Sequence, residues 1–132
     1  MIALILWCLI LYLFYVIAAP CMQYLSGKAS LGSKLMVALG PRDSQPFMSP
    51  LAQRAARAHT NFAESLPFFL TLALLLLHTG KADMTGLVGA KIFLGSRVFY
   101  FPAYLSGVPG VRSVVWMIGA AGLVMMAVRL VA

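Results

Sequence analysis

The sequence predicts an all-α membrane protein, a bundle of four transmembrane helices, and three observations lead there. The chain is 62% hydrophobic and only 10% charged, with a mean hydropathy of +0.94, far from the balance of soluble domains. The run from Ile2 to Ala19 carries no charge, which meets the ~18-residue criterion for a spanning helix. Four spans of about 20 residues with short connections account for almost the whole chain, so no separate soluble domain fits.

The first span covers about residues 2–22. No basic residue precedes its apolar core and the first charge is Lys28, so a retained helix is expected in place of a secretory signal. A polar loop, residues 24–49, follows with Gly, Ser, Pro and basic residues, and closes on Ser49-Pro50. Ser as N-cap with Pro at the first helical position starts a helix. The second span, about 50–79, is closed by Gly80, and Pro67 removes one backbone bond and predicts a kink just past Glu64. At 1.5 Å per residue this helix is about 44 Å long, well over the ~30 Å hydrocarbon core. Its polar first half must project from the membrane or face protein. The third span, about 84–105, contains Lys91 and Arg97, and the fourth, about 111–131, follows the turn Gly107–Gly110. Gly86, Gly89, Gly95, Gly119 and Gly122 suit close helix packing in lipid.

The net charge of +7 is no nucleic-acid signature, because the basic residues sit in loops and at helix ends without forming a stripe. They act as topology signals. The loop after the first span carries Lys28, Lys34 and Arg42, with Arg54 and Arg57 just beyond, whereas the next loop has only Lys81. That places loop 24–49 in the cytoplasm and both termini on the opposite side. Cys8 and Cys21 are isolated thiols without metal-ligand or disulfide spacing and receive no role. Nothing resembles a metal site, a phosphate loop or a Ser-His-Asp set.

This topology brings three polar stripes to one depth. Arg57, Asn61 and Glu64 lie at i, i+4 and i+7 of the second helix, within about 60° of one another. Arg97, Tyr100 and Tyr104 do the same on the third, and Arg112 opens the fourth. Pointing such groups at lipid costs about 2.5–3.5 kcal/mol for a central Arg or Asp, so they should face protein or a wet pocket. Simpler roles compete. Arg54 reads as an anchor snorkelling to the headgroups; Glu64 alternatively reads as a structural ion partner of Arg57 or Arg97, and Asn61 as interhelical glue. Tyr12, Tyr15 and Tyr24 read as belt or lipid-facing aromatics, and Trp116 as a ring beneath Arg112. His59 is off the stripe, Lys91 lies opposite Tyr100, and neither is assigned a role. Several guanidiniums with one carboxylate, an amide and two phenols match a small zwitterion bearing carboxylates and an ammonium group.

The segment R54-A-A-R-A-H-T-N-F-A-E-S-L-P-F-F69 resembles the second-helix signature of the MAPEG family, the membrane-associated proteins in eicosanoid and glutathione metabolism. The segment R97-V-F-Y-F-P-A-Y-L-S-G-V-P-G-V-R-S-V-V-W116 resembles its third-to-fourth-helix segment in the bacterial form. The resemblance covers most of Pro41 to Trp116. It implies a homotrimer in a bacterial inner membrane, with glutathione as co-substrate bound between subunits near the cytoplasmic face and a lipophilic electrophile or hydroperoxide as the second substrate. By the same resemblance Arg57, Asn61, Glu64, Arg97, Tyr100 and Tyr104 hold glutathione, and Arg112 stabilises its thiolate. Two positions depart from the pattern: Ser65 stands where an aromatic is common, and the Tyr104-to-Arg112 spacing is one residue longer than in some eukaryotic members. The expected activity is a glutathione-dependent transferase or peroxidase. Alternatives are a non-catalytic binding or scaffold protein of the same fold and a small transporter coupled through Glu64. The surrounding arginines count against the latter, because they would hold that carboxylate ionised.

Overall fold

The computed structural model describes residues 1–26, 49–108 and 110–132. Within them the chain forms four helices: α1 (Ile2–Ser26), α2 (Pro50–His78), α3 (Met84–Ser106) and α4 (Val111–Val131). The loop basics Lys28, Lys34 and Arg42, and the Tyr24 side chain, lie outside the described residues. Three helices are long and apolar enough to cross a membrane, over Ile2–Met22, Pro50–His78 and Val111–Val131. The other, α3, has 23 residues and dilutes its apolar surface with Lys91, Arg97, glycines and serines.

Local chemistry sets the helix ends. Ser49 accepts from the Ala52 amide and Pro50 follows it directly, the arrangement that satisfies an orphan donor where proline has none to offer. α2 runs on through Pro67 to His78, and Gly80 reverses the chain with φ 68°. Asp83 caps α3 by accepting from the Gly86 amide at 3.2 Å. α3 ends on Gly107 in the left-handed conformation, and Gly110 precedes α4 with φ 89°.

The core is an aromatic stack shared by α1, α2 and α3. Phe69 stacks on Phe93 at 4.7 Å, while Tyr15 meets Phe62 at 5.0 Å and Phe101 at 4.9 Å edge to face. Such offset geometries are the ones that ring quadrupoles favour. Tyr15 is fully buried and donates to the Arg97 carbonyl at 2.6 Å, which corrects its reading as a lipid-facing aromatic. The tyrosine hydroxyl finds its partner inside the bundle. Tyr12 is half-buried against His59, with Nε2 and the phenol oxygen 3.3 Å apart. The opposite surface of α1, with Leu6, Trp7, Ile10, Leu13 and Phe14, is exposed hydrocarbon, as a helix facing lipid requires. Cys8 is buried in the core and Cys21 exposed.

The α3–α4 pair is packed backbone against backbone. A Cβ on Gly122 would lie 2.6 Å from the Gly89 carbonyl, and one on Gly89 would lie 2.7 Å from that of Gly122. Only glycine permits this approach. Gly95, in contrast, has nothing within 4 Å and plays no such part.

Candidate functional site

α2, α3 and α4 meet around Arg97, whose side chain is only 1% exposed. Its Nη1 donates to Asn61 Oδ1 at 2.9 Å, and its guanidinium carbon lies 5.0 Å from the Phe93 ring centre and 5.1 Å from that of Tyr100. A buried charge is tolerated only when it is hydrogen-bonded and compensated. Here compensation is partial. Among the described residues Arg97 Nε has no hydrogen-bond partner, and the ion pair is Arg129–Asp83, at the far end of the helices. Gly119 makes the burial possible: a Cβ there would collide with Ser96 Oγ and lie 2.8 Å from Arg97 Nη2. Gly119 is thus a site-building residue that sequence reasoning had classed only as a packing glycine.

Two adjoining recesses open beside this arginine. The first, about 390 Å³, is lined by Asn61, Tyr100, Tyr104, Arg112, Ser113, Trp116 and Met117. The second, about 260 Å³, is lined by Asn61, Glu64, Ser65, Phe68, Arg97, Trp116, Ala120 and Leu123. Asn61 and Trp116 belong to both, so the two recesses adjoin as one groove lined by α2, α3 and α4. One end is phenolic and cationic. The other carries the carboxylate and hydrocarbon. The combined size suits a small-molecule site, for which ~300–1,000 Å³ is usual.

Six of the seven predicted site residues line this groove. Tyr100 is buried, and its ring sits 5.6 Å from that of Tyr104 in an edge-to-face pair. Arg112 lies with its guanidinium carbon 5.4 Å from the Tyr104 ring centre. The ring under Arg112 is therefore Tyr104 across the helix pair, not Trp116 one turn along. Glu64 is exposed on the groove wall, and among the described residues it pairs with neither Arg57 nor Arg97. Arg57 is the exception: it is exposed, lines neither recess, and its Nε donates to the Gln53 carbonyl of its own helix at 3.4 Å. Arg54 is no headgroup anchor either. It donates from Nη1 to the Leu105 carbonyl at 2.9 Å, at the C-terminus of α3.

Sequence reasoning missed Ser113, Met117, Phe68, Ala120 and Leu123 as groove residues, and gave Trp116 no share in it. On α4, residues 112, 116, 120 and 123 follow the i, i+4 spacing of a single face, so a stripe continued from Arg112 would have found three of them. No cluster of three or more His, Cys, Asp or Glu residues able to hold a metal occurs among the described residues. The groove's own side chains can bind anionic groups with guanidiniums, hold an ammonium at Glu64, and stabilise a developing anion at Arg112.

Comparison with known proteins puts this geometry in context. The model of the MAPEG family matches residues 3–132. Microsomal glutathione S-transferase 1 of Rattus norvegicus is 34% identical over 79 residues, covering 59% of this chain and 51% of the rat protein. The same protein of Mus musculus matches equally, at 34% over 79 residues with the same coverage. The matched region spans about half the length of these curated relatives. No solved structure matches the chain.

Proposed function

The chain belongs to the MAPEG family, and from that premise we propose that it is a glutathione-dependent membrane transferase or peroxidase working as a homotrimer. The observation that carries the proposal is the groove itself. Asn61, Tyr100, Tyr104 and Arg112 line one recess, Asn61, Glu64 and Arg97 the next, and among the described residues the deepest cation, Arg97, has an Nε without a hydrogen-bond partner and forms no ion pair. Glutathione carries two carboxylates, an ammonium and a thiol. In this proposal Arg97 receives a carboxylate, Glu64 the ammonium, Asn61 and Tyr100 the peptide groups, and Arg112 the sulfur. Arg57, outside both recesses, contributes at the mouth or across a subunit boundary.

Arg112 gives the chemistry. A thiol of pKa about 8.5 is only a few per cent thiolate at neutral pH, and the thiolate is the nucleophile. A guanidinium held against the sulfur can lower that pKa by about two units, roughly 2.7 kcal/mol of differential stabilisation. The Tyr104 ring supports the guanidinium from the other side without competing for it as a carboxylate would. A lipophilic electrophile then reaches the groove laterally from the bilayer. In conjugation a C–S bond forms as the electrophile's leaving group departs; in peroxide reduction two thiols become a disulfide while the hydroperoxide becomes alcohol and water. The groove faces outward, where a neighbouring subunit of a trimer would close it. The charge distribution supports a bacterial inner-membrane orientation with both termini periplasmic and the Arg112 end cytoplasmic.

Glutathione binding by detergent-solubilised protein tests the reading, with thiolate absorbance in the ultraviolet as the second signal. Saturable binding with a thiolate band that Arg112→Ala abolishes is expected. Binding without a thiolate band would support the scaffold alternative, and no binding at millimolar ligand would overturn the glutathione assignment.

A further inference from the structure

Arg112 is the second residue of α4, and Gly110 ahead of it supplies no side-chain cap. The α3–α4 turn therefore decides where Arg112 sits. Gly107 and Gly110 both hold positive φ, 70° and 89°, conformations that glycine adopts without penalty. The start of this turn is contacted from another helix. Arg54 of α2 donates to the Leu105 carbonyl at 2.9 Å, satisfying one of the four carbonyls that a helix C-terminus leaves without intrahelical donors. It also sets a cation at the negative end of the α3 dipole. Its guanidinium lies flush against Gly107, where a Cβ would come within 2.7 Å of Nη1 and 2.9 Å of Nη2. Arg54 lines neither recess.

We infer that Arg54 is a positioning residue, which clamps the α3–α4 turn from α2 and thereby holds Arg112 over Tyr104 at the wall of the groove. The catalytic consequence rests on the proposed thiolate role of Arg112, whereas the clamp itself does not. Arg54 acts through the backbone of α3 and the turn, so its loss should free one end of the helix pair and leave the other untouched.

The test uses the full chain in detergent, with Arg54→Ala and Arg54→Lys read by amide hydrogen exchange and by glutathione titration. In Arg54→Ala, exchange in peptides covering 105–114 should quicken about tenfold while those covering 84–93 stay unchanged. Glutathione affinity should remain within about threefold, with the bound thiol titrating closer to its free value near 8.5. Arg54→Lys keeps the bond to Leu105 but cannot cover Gly107 as a planar fork does, so it should fall between. Uniformly faster exchange with affinity falling in parallel would mean a merely structural residue and would overturn the inference, as would unchanged exchange at 105–114. If wild-type protein binds no glutathione, the proposed function fails while the exchange measurement still decides the clamp. Should Arg54→Ala not fold, Gly107→Ala displaces the guanidinium from the turn and should reproduce the local exchange change.

Discussion

The two ends of the α3–α4 pair are built from similar residue types and put them to opposite uses. At the Asp83 end, Arg129 Nε donates to Asp83 Oδ2 at 2.7 Å, Lys81 Nζ donates to the Leu130 carbonyl at 2.9 Å, and the helices touch backbone to backbone at Gly89 and Gly122. Toward the Arg112 end the cations lie against tyrosines and an amide instead of carboxylates. Where a charge is answered within the chain it fastens the fold. Where it is left unanswered in a buried setting, something else must answer it, and a bound anion is the economical candidate.

The sharpest break in this contrast comes from overfilling the closed end. Gly122→Leu drives a side chain into the Gly89 carbonyl and the Phe93 amide, so the pair must part along its length. A loss of about 3 kcal/mol or more is expected, seen as a large fall in thermal unfolding temperature in detergent. Gly95→Ala is the control, since nothing lies within 4 Å of its Cβ position. It should be neutral or gain about 0.5–1 kcal/mol from helix propensity. If both variants behaved alike, the close approach at Gly122 would not be what holds the pair.

At the open end Arg112→Ala should leave stability nearly unchanged, because the residue is exposed and its ring contact is worth about 0.5–1 kcal/mol. Turnover with a generic electrophile should fall by roughly tenfold or more as the thiolate fraction drops, with glutathione affinity changed far less. Parallel losses of affinity and stability would place Arg112 among the structural residues and erase the contrast.

Gly119→Ala lies between the two regimes. Its methyl would occupy the space of Ser96 Oγ and Arg97 Nη2, forcing the guanidinium to give way. A stability loss of about 1–3 kcal/mol is expected from overpacking, together with weaker glutathione binding, on the order of tenfold or 1.4 kcal/mol. Retained affinity, measured by isothermal titration, would show that Arg97 is not where the ligand's carboxylate docks.

Much of this architecture is legible in the sequence, and the exceptions have physical causes. The Ser49-Pro50 start, the Gly80 and Gly107 reversals and the gathering of Asn61, Tyr100, Tyr104 and Arg112 at one end follow from capping chemistry and helical periodicity. Tyr15 was not legible, because α1 is apolar on every side and no hydropathy contrast marks its inward face. Arg54 was misread because its partner is a backbone carbonyl on another helix, which leaves no trace in side-chain pattern. Arg57 shares the angular stripe of Asn61 and Glu64, but it lies about 10 Å along the axis from Glu64 at 1.5 Å per residue, beyond both recesses. Angle is encoded in spacing, while the height at which a groove opens depends on how neighbouring helices cross.

The smallest effect belongs to the Asp83 carboxylate. Hydrogen bonding from the Gly86 amide, then the Arg129 guanidinium, holds its pKa below the usual carboxylate value. A folded-state pKa below the unfolded one means stability that is fully present above about pH 3.9, the unfolded value, and lost as pH falls through the folded value. Asp83→Asn keeps an N-cap acceptor for Gly86 and removes only the charge. The unfolding temperature of the wild type should therefore exceed that of Asp83→Asn slightly at pH 7, and the two should converge as the medium is acidified below pH 4. Added salt should shrink the difference at neutral pH, because both partners are partly exposed. A gap that persisted in acid would trace the effect to the capping geometry instead of the ion pair, and the closed end would then owe its closure to Gly89, Gly122 and Lys81 alone.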